Sequence, residues 1–118
     1  MHKILLVEDD VIVALDASLA LEDGGYGVLH ADNAVQAFDV MEAGGFAALI
    51  TDVNLGPGED GFAVARRWRS LHPGKAVIFL SGEDAAACAD KGVQPSEWFA
   101  KPFAADRMLT LLDGLLRP

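Results

Sequence analysis

Residues suited to phosphoryl transfer follow four of the five strand-like runs in this sequence of 118 residues. They comprise three consecutive acids, a fourth acid, a hydroxyl and an amine: Glu8, Asp9 and Asp10, then Asp52, Ser81 and Lys101. In an open parallel sheet the carboxyl ends of the strands lie along one edge, where ligands bind. Side chains from distant parts of the sequence would therefore meet in one site.

Acids brought together in this way repel one another and any anionic phosphoryl donor. Two unit charges about 4 Å apart repel by about 4 kcal/mol at an effective dielectric of about 20. A divalent cation removes this repulsion, and Mg²⁺ or Mn²⁺ suits a site built from oxygen ligands. Helix capping is the simpler explanation for an acid after a strand. It accounts for one of the three consecutive acids, and we assign it to Asp10.

Short apolar runs alternate with helical patterns along the sequence. The predicted strands cover residues 3–7, 27–31, 47–51, 76–80 and 97–100. The predicted helices cover residues 10–22, 34–41, 61–70 and 104–116, with a weakly anchored alanine-rich helix over 83–94. Val11, Leu15 and Leu19 form the apolar stripe of the first helix, and Asn33 with Gln36 resembles a capping box before the second.

This alternation with short connections predicts a parallel sheet covered by helices on both faces. We expect a flavodoxin-like α/β sandwich of three layers, with five strands in the order 2-1-3-4-5. The length is that of one domain, residues 1–118.

Composition excludes several classes of protein. The net charge of −9 and pI near 4.5 disfavour direct binding to nucleic acid or to an anionic membrane. The only cysteine, Cys88, has no partner for an internal disulfide, which fits a reducing compartment. No run approaches the roughly 20 apolar residues of a membrane span. We therefore expect a cytoplasmic protein. The histidines, His2, His30 and His72, lie in different elements and predict no metal site.

Glu8-Asp9, Asp52, Ser81 and Lys101-Pro102 together resemble the signature of the receiver domains of two-component response regulators. The resemblance spans the whole chain. It implies that Asp52 accepts a phosphoryl group from a phosphohistidine on a sensor histidine kinase or a histidine phosphotransfer protein. It implies a phosphorylated switch that assists its own phosphorylation and dephosphorylation, rather than an enzyme that turns over a substrate.

The resemblance also implies individual roles. Asp9, Asp52 and the backbone carbonyl of Asn54 would bind the cation directly, and Glu8 through water. Lys101 would bind the phosphoryl oxygens. Ser81 and Trp98 would change position on phosphorylation. Asn54 and Glu83 would tune dephosphorylation.

The loop after Asp52 departs from the family pattern. Many members carry a proline four residues and a glycine eight residues after the acceptor, whereas here Pro57 and Gly61 stand five and nine residues after it. We therefore expect the departure to affect loop conformation and partner docking, and the chemistry to be retained.

Other classes fit the residues less well. A haloacid-dehalogenase-like phosphatase needs a second aspartate where Asn54 stands, and a flavodoxin needs a hydroxyl-rich phosphate loop where the first acids stand. Two alternatives remain. One is a receiver-like module that acts without phosphorylation, and the other is a receiver excised from a larger regulator or hybrid kinase.

The last predicted helix carries more apolar residues than one buried stripe needs. Met108, Leu111, Leu112 and Leu115 form the stripe, with Leu109 and Leu116 beside it. We expect a downstream partner, or a second copy in a homodimer, to bind the face formed by residues 83–116. The alternative is that these leucines complete the core.

Overall fold

The computed structural model describes residues 2–55, 58–81, 96–100 and 104–116. For Ser81 and Ala100 it describes the backbone only. Within these ranges one parallel sheet has the order β2-β1-β3-β4-β5. The strands are β1 (Lys3–Val7), β2 (Gly27–Ala31), β3 (Phe46–Asp52), β4 (Ala76–Ser81) and β5 (Glu97–Ala100). The helices are α1 (Val11–Asp23), α2 (Ala34–Met41), α3 (Gly61–Leu71) and a final helix (Ala105–Leu116). The predicted fold class and strand order are confirmed. The predicted helix over 83–94 lies outside the described residues.

Side chains along the central strands alternate between two cores, because successive residues of a strand point to opposite faces of the sheet. One core contains Ile4 and Leu6 of β1, Ile50 of β3, and Ile78 and Leu80 of β4. The other contains Leu5 and Val7 of β1, Leu49 of β3, and Val77 and Phe79 of β4. Both faces are covered, which explains why the strands read as nearly continuous apolar runs. Helix α1 and the final helix cover the first core, and α2 and α3 cover the second.

The predicted apolar stripe of α1 is wrong. Val11, Leu15 and Leu19 are 71%, 57% and 53% exposed, and it is Ala14, Ala17 and Leu21 that face the sheet. Because α1 is apolar on most of its circumference, spacing alone does not decide which stripe is buried. The two alanines let the helix axis lie close to the sheet, and the larger residues point outward.

The capping residues predicted for the first two helices are found at their starts in the structure. The Asp10 carboxylate accepts hydrogen bonds from the amides of Ile12 and Val13 at 2.9 and 3.2 Å, so its assignment as a cap is confirmed. The Asn33 side chain accepts from the amide of Gln36 at 2.9 Å, and the Gln36 side chain accepts from the amide of Asp32 at 2.9 Å. The second bond closes the predicted box one residue earlier than the standard pattern.

Most apolar residues of the final helix belong to the core. Met108 and Leu112 are fully buried, and Leu109, Leu111 and Leu116 pack partly buried against the same cluster. Among the residues of this helix that the structure describes, Leu115 alone is a strongly exposed large apolar residue, at 42%. The alternative that these leucines complete the core is therefore confirmed for all of them except Leu115, because the helix fills the space between α1 and the sheet.

Gly61 brings the start of α3 against the end of β3. A Cβ atom at this position would lie 1.9 Å from the carbonyl oxygen of Asp52 and 2.9 Å from the Cα of Val53. The Gly61 amide donates to the carbonyl of Val53 at 2.8 Å. Only glycine permits this approach, although it stands nine residues after Asp52.

Gly61→Ala should lower the free energy of unfolding by about 1–3 kcal/mol or more, because the obstructing atoms are backbone and cannot rotate away. Urea unfolding measures the change. Gly114→Ala is the control: it lies on an exposed stretch of the final helix with no atom within 4 Å of the added Cβ. That substitution should be neutral or stabilise by up to about 1 kcal/mol. Equal effects at both positions would contradict the close approach.

Candidate functional site

Three carboxylates meet at the carboxyl edge of the sheet. One oxygen each from Glu8, Asp9 and Asp52 lies within 4.8 Å of the other two. Glu8 is fully buried and Asp52 is 5% exposed, whereas Asp9 is exposed. The cluster therefore opens to solvent on the side of Asp9, next to the start of α1.

Strand register brings these acids together. Val7 at the end of β1 pairs with Thr51, the residue before Asp52, so Glu8 and Asp52 leave adjacent strands at the same level. The Glu8 amide donates to the carbonyl of Ala31 at 3.1 Å. The Glu8 carboxylate accepts from the amide of Asp10 at 3.1 Å. The loop after β1 is thus fixed to β2 on one side and to the cap of α1 on the other.

Asp52 is held by the turn that follows it. Its carboxylate accepts a hydrogen bond from the amide of Asn54 at 3.3 Å, and its main-chain carbonyl accepts from the Thr51 hydroxyl at 3.0 Å. Asn54 is exposed. The Asn54 amide therefore orients the side chain of Asp52, and the Thr51 hydroxyl is bonded to its main chain.

These residues fit a divalent cation. Mg²⁺ prefers oxygen ligands, usually binds through one or two carboxylates, and keeps several waters. Three carboxylates within 4.8 Å, one of them exposed, supply such oxygens on a side open to solvent. No other group of three or more His, Cys, Asp or Glu side chains suited to a metal ion occurs within the described residues.

The other predicted site residues are described in part. Ser81 ends β4 and pairs with Ala100, the residue before Lys101 in the sequence. Lys101 and Glu83 lie outside the described residues. Asn54 stands two residues after Asp52, and its role as a carbonyl ligand stays a prediction.

Trp98 is partly buried against the core below α3. Its ring stacks on Phe79 with centroids 4.5 Å apart and planes at 26°, and its centroid lies 6.0 Å from that of Phe62. The indole thus has an inward orientation. Phe62 follows Gly61 at the start of α3, so the three rings connect β5 to the helix that begins against Asp52.

One residue at the site was not singled out from the sequence. His30 on β2 approaches the main chain of Glu8, with its Nε2 atom 2.7 Å from the carbonyl oxygen. No local pattern marks this histidine, because only the pairing of β1 with β2 brings it beside the acids.

The sheet order and the buried acid cluster define a flavodoxin-like domain with a carboxylate pocket at the carboxyl edge of its central strands. A sequence model described as the response regulator receiver domain matches residues 4–113. The chain therefore belongs to the family of response regulator receiver domains, which are phosphoacceptor switches of two-component signal transduction.

Individual relatives agree with this family. The response regulator receiver protein CpdR of Brucella abortus is 31% identical over 118 residues, which cover 98% of both chains. YkoG of Bacillus subtilis, an uncharacterized transcriptional regulatory protein, is 32% identical over 116 residues, and the match covers 97% of this chain but 50% of YkoG. The chain thus spans about half the length of that relative.

Solved structures have the same fold. A response regulator receiver protein from Sinorhizobium medicae superposes with a TM-score of 0.92 at 30% identity, covering 98% of this chain and 94% of the other. The chemotaxis protein CheY4 of Vibrio cholerae gives 0.89 at 28% identity, covering 98% and 99%.

None of the helices in the described ranges combines the length and the apolarity that crossing a membrane requires.

Stability should depend on divalent cations, because the acid cluster is repulsive without one. Mg²⁺ should raise the melting temperature as a ligand of the native state does. Asp52→Asn should stabilise the metal-free protein by about 1–3 kcal/mol by removing one of the repelling charges. Thermal unfolding with MgCl₂ and with EDTA measures both effects.

Asp39→Asn on the exposed side of α2 is the matched control, since it removes the same charge outside the cluster. It should leave the response to Mg²⁺ unchanged. A melting temperature indifferent to both Mg²⁺ and Asp52→Asn would contradict a clustered site.

Proposed function

We propose that Asp52 is the phosphoryl acceptor of this receiver domain, and that the donor is a phosphohistidine on a sensor histidine kinase or histidine phosphotransfer protein. The observation that carries the proposal is the position of Asp52. It is an almost completely buried carboxylate at the end of the central strand β3, beside two further acids. An oxygen of Asp52 forms a bond to phosphorus as the phosphorus–nitrogen bond of the donor breaks, and the electron pair leaves with the imidazole nitrogen.

The acids around Asp52 prepare it for an anionic donor. Asp9 and Asp52 would hold Mg²⁺ or Mn²⁺ directly, the carbonyl of Asn54 would be a third protein ligand, and Glu8 would act through water. A bound divalent cation neutralises the cluster and the phosphoryl oxygens. The amide of Asn54, 3.3 Å from the Asp52 carboxylate, fixes the orientation of the attacking group.

Further roles rest on the family resemblance. Lys101 binds the phosphoryl oxygens as a point charge. Ser81 donates a hydrogen bond to phosphorylated Asp52, and Trp98 changes position with it. In this scheme residues 1–118 form one cytoplasmic receiver domain that takes up one phosphoryl group and does not turn over a substrate. A module that acts without phosphorylation, or a receiver that forms part of a longer regulator, is the alternative.

Asp52→Asn should abolish phosphorylation by acetyl phosphate and by a phosphorylated kinase, because an amide oxygen is a far weaker nucleophile than a carboxylate. Mass spectrometry in the presence of Mg²⁺ measures the phosphoryl content, and circular dichroism checks the fold. Asp60→Asn is the control, because Asp60 is an acid of the same loop that caps α3 through the amide of Ala63. Stoichiometric phosphorylation of the Asp52→Asn protein would refute the assignment.

The exposed face of α1 adjoins the open side of the acid cluster. Val11, Ile12, Leu15 and Leu19 are all more than half exposed and lie on one side of this helix. Helix α1 begins two residues after Asp9. A donor whose histidine approaches Asp52 from the open side of the cluster would lie next to this surface, so we propose that the phosphohistidine-bearing protein docks on it. Burial of these side chains would favour the complex.

Leu15→Lys should slow transfer from a protein donor by roughly tenfold, since it places a charge in the docking surface. Phosphorylation by acetyl phosphate should not change, because that small donor needs no docking surface. Leu115→Lys is the control, since Leu115 is an exposed leucine that lines a concavity with His2 and Ala47, at the edge of the sheet opposite the acids. Equal slowing with both donors would show damage to the site itself and would overturn the docking surface.

For the downstream partner, and for any homodimer, the face formed by residues 83–116 stays the proposed surface. Residues 82–95 lie outside the described ranges, and the described part of the face includes Leu115, which is 42% exposed, and the half-buried Trp98. Separate surfaces for donor and partner would let one domain receive a phosphoryl group and pass on its effect.

The phosphoryl group on Asp52 should last seconds to minutes. Polar residues at the positions of Asn54 and Glu83 accompany rapid dephosphorylation in this family, and Asn54 is exposed beside the site. Loss of label after removal of the donor measures the lifetime, with Asn54→Leu as a comparison that should lengthen it. A lifetime of many hours for the unchanged protein would contradict this role.

A further inference from the structure

His30 donates a hydrogen bond to the loop that carries two of the three acids. Its Nε2 atom is 2.7 Å from the carbonyl oxygen of Glu8. A carbonyl oxygen can only accept, so Nε2 must carry the hydrogen atom. The His30 side chain is 29% exposed, so the bond is partly screened from water.

This bond fixes one particular peptide group. The carbonyl of Glu8 belongs to the peptide that links Glu8 to Asp9, so its direction sets how Asp9 leaves the strand. The amide of Glu8 is also bonded to β2, through the carbonyl of Ala31 at 3.1 Å. Both main-chain polar groups of Glu8 are therefore held by neighbouring residues of the same edge strand.

Asp32 restrains the ring that makes the bond. Its carboxylate lies 3.5 Å from the same Nε2 atom of His30. The Nε2 atom thus faces two acceptors, the Glu8 carbonyl and an exposed carboxylate, which favours the tautomer that can donate. The amide of Asp32 is itself bonded to the Gln36 side chain at 2.9 Å, so Asp32 is anchored to the start of α2.

We infer that His30 is a positioning residue for the divalent-cation site: its Nε2–H holds the Glu8–Asp9 peptide so that both carboxylates face Asp52. The inference rests on the proposed function, because it assigns to His30 an effect on the cation that Asp9 and Asp52 hold. His30 acts through the main chain of Glu8 and touches neither the cation nor the phosphoryl group. Without the bond, the loop has more conformations to lose when the cation binds.

His72 offers a matched control elsewhere in the fold. Its Nε2 atom is 3.0 Å from the carbonyl of Met41, and its side chain is also partly buried. It lines a concavity with Lys3 and Phe46, at the starts of β1 and β3. This is the edge of the sheet opposite the acids. The two histidines thus make the same kind of bond, and only one of them borders the cluster.

Four substitutions test the inference: His30→Gln, His30→Asn, His72→Gln and His72→Asn. The amide nitrogen of glutamine extends about as far as Nε2, and that of asparagine is one carbon shorter. A titration with MgCl₂, followed by backbone amide NMR shifts, gives the Kd of each protein. His30→Asn should weaken Mg²⁺ binding about three- to tenfold, as expected for the loss of one hydrogen bond that supports a ligand. His30→Gln should stay within about twofold of the unchanged protein, and both His72 variants should not change the Kd.

Phosphorylation by acetyl phosphate separates positioning from chemistry. The His30→Asn protein should be phosphorylated slowly at low Mg²⁺ and at the normal rate when Mg²⁺ is saturating. Persistent slowness at saturating Mg²⁺ would overturn the inference. An unchanged Kd for His30→Asn, or equal weakening by His72→Asn, would also overturn it. If the unchanged protein binds no Mg²⁺, the proposed cation site fails and this inference fails with it. If it binds Mg²⁺ normally and His30→Asn binds equally well, only this inference fails.

Discussion

Repulsion among Glu8, Asp9 and Asp52 is the constraint on which the rest of this structure depends. Three carboxylates within 4.8 Å of one another, two of them buried, oppose folding unless other interactions hold them there. The restraint comes from strand pairing and from the loops that follow the strands: β1 pairs with both β2 and β3, Asp10 caps α1, and the chain turns at Asn54. The cluster is therefore a feature that the sheet imposes, and a bound divalent cation would relieve its repulsion.

Close packing of the helices against this edge of the sheet determines which side chains are exposed near the site. Gly61 lets α3 begin against the carbonyl of Asp52, and Ala14 and Ala17 let α1 lie close to the sheet. In both cases a small residue faces inward where the backbone approaches. The consequence for α1 is that its large apolar residues are left on the outer side. The same packing that stabilises the fold thus produces an apolar surface next to the open side of the acid cluster.

Aromatic side chains connect the start of α3, beside Asp52, to β5 at the edge of the sheet. Trp98 stacks on Phe79, and both lie near Phe62 at the start of α3. Because α3 begins against the end of β3, Asp52 and Trp98 both adjoin the layer of side chains between α3 and the sheet. Interiors at normal packing density transmit such shifts, since a side chain that moves must displace its neighbours. The inward indole therefore packs near Phe62, the residue after the glycine that contacts the end of β3.

The sequence by itself determined the type and order of the described elements, the strand order, the caps at Asp10 and Asn33, and the residues that end the strands. These follow from local patterns: apolar runs, helical spacing, and polar residues at the points where strands stop. The tertiary structure alone decided which stripe of α1 is buried, how far the final helix enters the core, and that His30 reaches the main chain of Glu8. Those outcomes depend on the space between layers and on the register of strands distant in the chain. A local pattern contains neither quantity, because both are fixed only when the whole sheet and its helices pack together.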